Sequence, residues 1–365
     1  MPSISDETAN VSDVMPDIPD VMKAVVLLGH GWPDMLEYRH DIPVPRPQTG
    51  DVLIKMHAAG VNNTDINTRL AWYSKSDAAD EDASWAGGPL TFPLIQGIDA
   101  CGEIIAVGDG ESQSRIGERV LVEPCLYESG GKTLDQPWFF GSECNGAFAE
   151  YTVVAARHAH AITSGLTSVE LASFPCSYST AENMLTRANV ETGDTVLVTG
   201  ASGGVGSAAL QLTKARGAVV YAVTSPAKQT ELKALGADRV LDRGTPLVEM
   251  LGANSVDVVI DLVAGSGWPD LLDVLRRHGR YAVAGAVAGP IVSLDVRTLY
   301  LKDLSFFGCT ALVSGVFANL VTLIETSAIK PLVAEVFPLK QIKQAQQTFA
   351  EKNYIGKIVL DIASQ

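Results

Sequence analysis

The sequence predicts an α/β protein in which a doubly wound parallel sheet is joined to a second, mostly antiparallel β-barrel domain. Three observations predict it. First, Thr195-Val-Leu-Val-Thr-Gly200-Ala-Ser-Gly203-Gly204-Val-Gly206-Ser-Ala-Ala209 runs from an apolar β-branched segment through a turn with four glycines into small residues at helical spacing. Second, from about residue 166 apolar strand segments at 196–199, 219–224, 256–260 and 280–284 alternate with helical periodicity, the pattern of parallel strands linked by crossover helices. Third, residues 22–157 hold only short β-rich segments punctuated by Gly and Pro, at 22–28, 51–59, 102–107, 118–122 and 146–154.

Taken in order, residues 1–21 form a flexible acidic tail. They carry Asp6, Glu7, Asp13, Asp17 and Asp20, three prolines and no Lys or Arg, too little apolar surface to order themselves. The barrel domain then occupies 22–160, and the acidic run at 77–82 within it reads as a solvated surface loop. Residues 169–187 and those after Gly206 read helical, and 161–311 make the parallel-sheet domain. A helix over 316–327 and two short strands ending in Gly356-Lys-Ile-Val-Leu-Asp361 return to the first domain, which is therefore discontinuous, 22–160 with 312–365.

Composition narrows the function. A chain of 365 residues, 47% hydrophobic, is long enough for two packed domains. Its net charge of −15, with no Lys/Arg cluster, excludes a nucleic-acid partner, because neutralising phosphates needs a basic surface. No apolar run approaches the ~18 residues of a membrane span, and the first 20 residues lack the basic start and apolar centre of a secretory signal. The five cysteines are odd in number, scattered and without a C-x-x-C pair, which fits free thiols in a reducing compartment, the cytoplasm.

The glycine turn carries the first chemistry. Glycine lets the main chain approach a phosphate, and the unpaired N–H groups and dipole at a helix start favour an anion. Ser202, Gly203, Gly204 and Val205 are thus the expected cradle of a dinucleotide pyrophosphate. The second strand ends Val223-Thr224-Ser225-Pro-Ala-Lys228, without the acid that would accept hydrogen bonds from a ribose 2′-OH. Thr224, Ser225 and Lys228 suit a 2′-phosphate instead, so NADPH is expected over NADH. Arg216 and Arg243 are possible further phosphate partners, and for all three cations an ordinary exposed surface charge is the competing reading.

Several segments in one order carry a resemblance: Gly60-Val-Asn-Asn-Thr-Asp65, Gly97-Ile-Asp-Ala-Cys-Gly102, Gly117-Glu-Arg-Val120, Gly146-Ala-Phe-Ala-Glu-Tyr151, the glycine turn and Gly356-Lys-Ile-Val-Leu360. Over about 22–362 the chain resembles the medium-chain dehydrogenase/reductase superfamily, in particular its zinc-independent quinone oxidoreductase (zeta-crystallin-like) branch, which shares the G-x-x-G-G-x-G spacing. The resemblance implies a GroES-like catalytic domain, a Rossmann domain, NAD(P)-dependent hydride transfer in the cleft between them and commonly a homodimer. It implies further cofactor contacts at Thr180, opening a helix aimed at the nicotinamide, and at Val263, Ala264, Ala284, Gly285, Phe307, Gly308 and Lys357. For the apolar ones, core packing explains the residue equally well.

Position by position, the resemblance also argues against a metal. Where zinc-dependent relatives hold their ion, this chain has Asn62, Ile98 and Cys176, and one soft ligand is not a tetrahedral site. Hydride transfer to a quinone or α,β-unsaturated carbonyl compound then needs side-chain donors where the oxyanion or enolate develops. The expected catalytic residues are Asn62, as amide donor, Tyr73, as hydroxyl or proton donor, and Asp65, paired with Arg69 at i,i+4. Turn capping explains Asn62, and packing beside Trp72 explains Tyr73, as alternatives; His57 reads as structural. The small-molecule substrate is left open, as are an alcohol dehydrogenase or carbonyl reductase of the same fold and a non-catalytic NADPH-binding sensor.

Overall fold

The computed structural model describes residues 18–75 and 82–364, so the tail expected over 1–21 and the acidic loop at 77–82 lie almost wholly outside the described residues. The glycine turn opens a six-stranded, all-parallel sheet ordered Arg239–Asp242, Val219–Thr224, Thr195–Val198, Val256–Asp261, Leu275–Val283 and Ser305–Gly308. The strand order reverses beside Thr195–Val198, so the turn after that strand sits at the switch point where such sheets bind ligands. Side-chain alternation explains why the strands are apolar on both faces. Val196 and Val198 enter one core with helices Pro175–Arg187 and Gly204–Ala215, whereas Leu197 faces a second core with Trp268, Leu271 and Tyr281.

The helix expected over 169–187 is broken into Ser168–Leu171 and Pro175–Arg187. Pro175 is the cause, since a residue without an N–H and with fixed φ begins a helix readily and continues one poorly. Helix Val316–Glu325 buries Val316, Phe317, Leu320, Val321 and Ile324 in the core that includes helix Pro175–Arg187.

The β domain is GroES-like and mostly antiparallel, but its strands do not close into one barrel. Among the described residues they form a three-stranded sheet (Leu36–Pro43, Val21–Leu27, Leu94–Ile95), a seven-stranded sheet and the hairpin Cys125–Ser129/Lys132–Phe139. The reason lies in the ten-residue strand Asp51–Gly60. One edge pairs with Cys101–Val107 through two bulges; the other takes Tyr151–Ala155 along residues 51–55 and Lys357–Asp361 along 58–60, so the sheet forks. Strand Lys357–Asp361 therefore pairs with the long strand of the β domain, Val359 opposite Gly60, whereas helix Val316–Glu325 of the same expected returning segment packs on the parallel-sheet side.

Candidate active site

Four elements meet below the glycine turn. Helix Asn63–Arg69 is started by a reciprocal capping box in which the Asn62 N–H donates to Asp65 Oδ2 at 2.7 Å. Burial raises the Asp65 carboxyl to about 7, opposed by that N–H, with nearby Asp99 adding to the rise. The Asp65–Arg69 pair does not form. Arg69 runs the other way, its guanidinium donating to the Gly31 carbonyl at 2.6 Å and to Gln346 Oε1 at 3.3 Å.

Asn62 is enclosed by charge. Its amide nitrogen donates to Asp99 Oδ2 at 2.8 Å and to the Gly60 carbonyl at 3.3 Å, and its oxygen accepts from the Lys357 ammonium. Both amide hydrogens are thus committed, so Asn62 is a clamp between opposite charges and not the expected donor to a substrate oxygen. Lys357 also pairs with Asp99 Oδ2 at 2.7 Å and donates to Ser177 Oγ at 3.2 Å; Asp99 is fully buried and Lys357 nearly so. The other Asp99 oxygen accepts from the Cys176 N–H, one of the unpaired donors at the start of helix Pro175–Arg187. That helix opens at Pro175, which corrects the position expected of Thr180: it lies in the second turn, its hydroxyl donating to the Cys176 carbonyl at 2.7 Å.

The glycine turn presses directly on this cluster. A Cβ at Gly204 would stand 2.6 Å from Ser177 Oγ and 3.3 Å from Lys357 Cδ, and one at Gly206 would stand 2.3 Å from the Gly200 carbonyl oxygen. Only glycine permits both contacts. Gly203 caps the helix, and the N–H groups of Gly204 and Val205 have no carbonyl one turn back, leaving donors beside the Lys357 charge. At the end of the neighbouring strand, buried Thr224 Oγ1 has no hydrogen-bond partner, which fits a ligand group at the place expected of the adenosine ribose.

Lys228 reaches across the cleft, where its ammonium donates to the carbonyls of Lys352 (2.6 Å) and Tyr354 (2.8 Å), while Ser225 starts the short turn before it. Lys352 lies over the Phe349 ring at 3.2 Å and donates to Asn63 Oδ1 at 3.1 Å. Burial and the Lys357 and Lys228 charges lower its pKa to about 7. Arg243, exposed just after strand Arg239–Asp242, adds its charge beside Lys228. Arg216 is not part of this group: it makes a two-pronged ion pair with buried Glu182 (2.7 and 2.6 Å) at the far end of its helix.

Tyr73 forms the opposite wall. It is half-buried, burial raises its pKa, and the Thr64, Asn67, Cys176 and Asp65 side chains lie close to it. Its ring lies parallel to Trp85 at 6.0 Å, and Trp85 stacks on Phe139 at 4.4 Å. Burial drives the Cys176 thiol well above its ordinary range, which removes it as a nucleophile. His57 is half-buried, its pKa lowered by burial, and its Nδ1 is 3.4 Å from Ser168 Oγ. Among the described residues no three His, Cys, Asp or Glu side chains converge in a way that could hold a metal. The donor set at the zinc-equivalent positions, an engaged amide, Ile98 and a protonated thiol, does not fit one.

Of the remaining expected contacts, Val263 and Ala264 turn beside Gly200, and Ala284 and Gly285 follow the fifth strand. Phe307 packs into the first core instead, and the Gly308 carbonyl accepts from Arg187. The sequence reading missed the roles of Asp99, Ser177 and Lys352. Asp99 carried a signal, an acid immediately after Ile98 in an otherwise apolar and glycine-rich stretch.

A parallel-sheet domain with a glycine turn at its switch point, facing a GroES-like domain across a charged cleft, defines a two-domain dehydrogenase. Residues 48–164 match the alcohol dehydrogenase GroES-like domain, and 204–326 match the family described as zinc-binding dehydrogenase. The chain belongs to the medium-chain dehydrogenase/reductase superfamily and is an oxidoreductase of that family. It is 30% identical over 351 residues to acryloyl-coenzyme A reductase of Metallosphaera sedula, covering 93% of this chain and 99% of that one. It is 28% identical to human quinone oxidoreductase, covering 93% and 98%. The structure is similar to that of a candidate alcohol dehydrogenase from Sinorhizobium meliloti 1021, at a TM-score of 0.89 and 45% identity over 95% of this chain and 98% of that one.

Proposed function

We propose that the protein is an NADPH-dependent, metal-independent reductase of quinones or α,β-unsaturated carbonyl compounds. The observation that carries the reading is a line of cations in a chain of net charge −15: Lys357 against Gly204 of the glycine turn, Lys352 near both Lys357 and Lys228, and Arg243 beside Lys228. Lys357 has Asp99 as its counter-ion, whereas Lys228, Lys352 and Arg243 have no ion-pair partner among the described residues, and a pyrophosphate together with a 2′-phosphate supplies the negative charge they lack. Lys357, beside Gly204, faces the pyrophosphate; Arg243 and Lys352, with Thr224, face the 2′-phosphate. Bound NADPH supplies the hydride.

Asp99, through the Cys176 N–H, and Lys357, through Ser177 Oγ, hold the two domains in register. Tyr73 is the group left to donate to the oxygen that gains charge, since the Asn62 amide is committed and the phenol stands beside Thr64 and Asn67. The Trp85–Phe139 stack gives a flat apolar wall suited to a conjugated carbonyl compound. The five free cysteines support a reducing, cytoplasmic setting. Exposed Val287, Ile291, Val296, Leu301 and Phe306 around the unpaired edge of Ser305–Gly308 support a homodimer. No helix among the described residues is long and apolar enough to cross a membrane.

The test is NADPH and NADH oxidation with a panel of quinones, enones and simple ketones, run with wild type and Tyr73→Phe beside metal analysis. Turnover of conjugated acceptors with NADPH is expected, and Tyr73→Phe should lower kcat by about 10²-fold, the scale of a proton donor's contribution. Exclusive turnover of unconjugated ketones, or activity that depends on a stoichiometric metal, would overturn the reading.

A further inference from the structure

Beyond the residues named so far, one fully buried carboxylate stands behind the cofactor cleft with no ion-pair partner among the described residues: Asp261, the last residue of strand Val256–Asp261. Its Oδ1 accepts from Thr199 Oγ1 at 2.6 Å, from the Val263 N–H at 3.0 Å and from the Ala264 N–H at 3.2 Å. Its Oδ2 accepts from the Tyr281 hydroxyl at 2.6 Å, which in turn accepts from Trp268 Nε1 at 2.9 Å. Thr199 closes the circuit, since its oxygen accepts from the Leu262 N–H at 2.9 Å.

The turn so held is strained. Ala264 has φ +53° and ψ −136°, a conformation that L-residues with a Cβ avoid and that persists only where surrounding bonds impose it. Its neighbour Val263 lies beside Gly200 at the head of the glycine turn, and the Val263 carbonyl accepts from the Ala288 N–H at 2.9 Å in the loop after the fifth strand. One carboxylate therefore ties together the ends of three consecutive sheet strands, those leading to Gly200, to Val263 and to Ala284.

We propose that Asp261 is a positioning residue of the dinucleotide site, fixing the strained Leu262–Ala264 turn against Gly200 so that its backbone meets the nicotinamide–ribose half of the cofactor. This rests on the reading that the cleft binds a nicotinamide dinucleotide. Asp261 touches no cofactor atom itself and acts through the turn. The adenosine half lies further along the sheet, against Thr224 and the basic group, and does not depend on this carboxylate.

That division gives the test. Binding of NADPH and of 2′,5′-ADP, which carries only the adenosine half, is titrated by calorimetry for wild type, Asp261→Ala and Asp261→Asn. Asp261→Ala should weaken NADPH about tenfold while 2′,5′-ADP changes by less than about twofold, the loss expected when one set of preorganising bonds goes. Asp261→Asn, which still presents an acceptor to Thr199 and the two N–H groups, should restore most of the loss. Should Asp261→Ala not fold, Thr199→Val removes one donor to Asp261 and the acceptor for Leu262, and carries the same comparison. Equal weakening of both ligands, or weakening of neither, overturns the proposal. A wild type that binds neither ligand would instead overturn the dinucleotide reading on which it rests.

Discussion

Replacing Lys357 with Met tests whether the centre of the site is an ion pair that the fold depends on. Methionine fills nearly the same volume, so the packing against Gly204 is kept while the charge is lost. What remains is Asp99, fully buried and 2.7 Å from the vacated ammonium position, retaining only the N–H groups of Cys176 and the Asn62 amide. Losing one partner of a buried pair costs about 3–5 kcal/mol, against about 1.5–3 kcal/mol for each ammonium hydrogen bond lost at Asn62 and Ser177. The unpaired charge is the largest single loss, and neither group is exposed enough for solvent to screen it. Lys357→Met should therefore lower unfolding free energy by about 3–5 kcal/mol in urea titrations followed by circular dichroism, and Asp99→Asn in the same chain should recover more than half of it. NADPH binding should stay weak in the double variant, because the charge facing the pyrophosphate is still missing. A Lys357→Met protein within about 1 kcal/mol of wild type, or a double variant less stable than the single, would refute the reasoning.

Asp65 sets a pH dependence of opposite sign to the usual carboxylate. Its folded pKa is raised from 3.8 to about 7, so the folded chain holds a proton that the unfolded chain gives up, and its contribution is full below about pH 4 and fades as pH rises through 7. Asp65→Asn should be more stable than wild type at about pH 8, by at most about 4 kcal/mol from a shift of about three units, with the gap closing towards pH 4; a pH-independent gap would contradict this. Arg243→Ala and Lys352→Ala should each raise KM for NADPH about tenfold and leave KM for NADH within about twofold, as loss of a charge-assisted contact to the 2′-phosphate requires. Steady-state kinetics with both cofactors decides it, and equal effects would favour a site that ignores the 2′ position.

Much of the fold was legible because each signal was local. The glycine turn, the strand–helix alternation and the returning strand at 357–361 are set by side-chain period and turn chemistry, which a sequence displays directly. At the site, the glycines announce a close backbone approach by residue type, whereas Lys357 was reached by resemblance alone and its pairing with Asp99 was not visible. Asn62 shows the limit: its amide suits a substrate donor until Asp99, 37 residues on, and Lys357, 295 residues on, are found to consume it. The Asp65–Arg69 spacing was correct for a helix, yet Gly31 and Gln346 offered Arg69 better-placed oxygens. Lys228 was read from its strand-end position, and nothing near it in the chain indicates that its ammonium spans the cleft to residues 352 and 354.

The strand that carries Lys357 lies inside the seven-stranded sheet, between Asp51–Gly60 and Val333–Pro338, although the whole parallel-sheet domain separates it in sequence from Asp51–Gly60. During synthesis Asp51–Gly60 is made long before its neighbour Lys357–Asp361, and the parallel-sheet domain between them can form while the β domain still waits for a strand. The same late arrival brings the ammonium that neutralises Asp99. Assembly of this sheet and charge balance at its centre are consequently one event, which a chain lacking residues 357–361 would never reach.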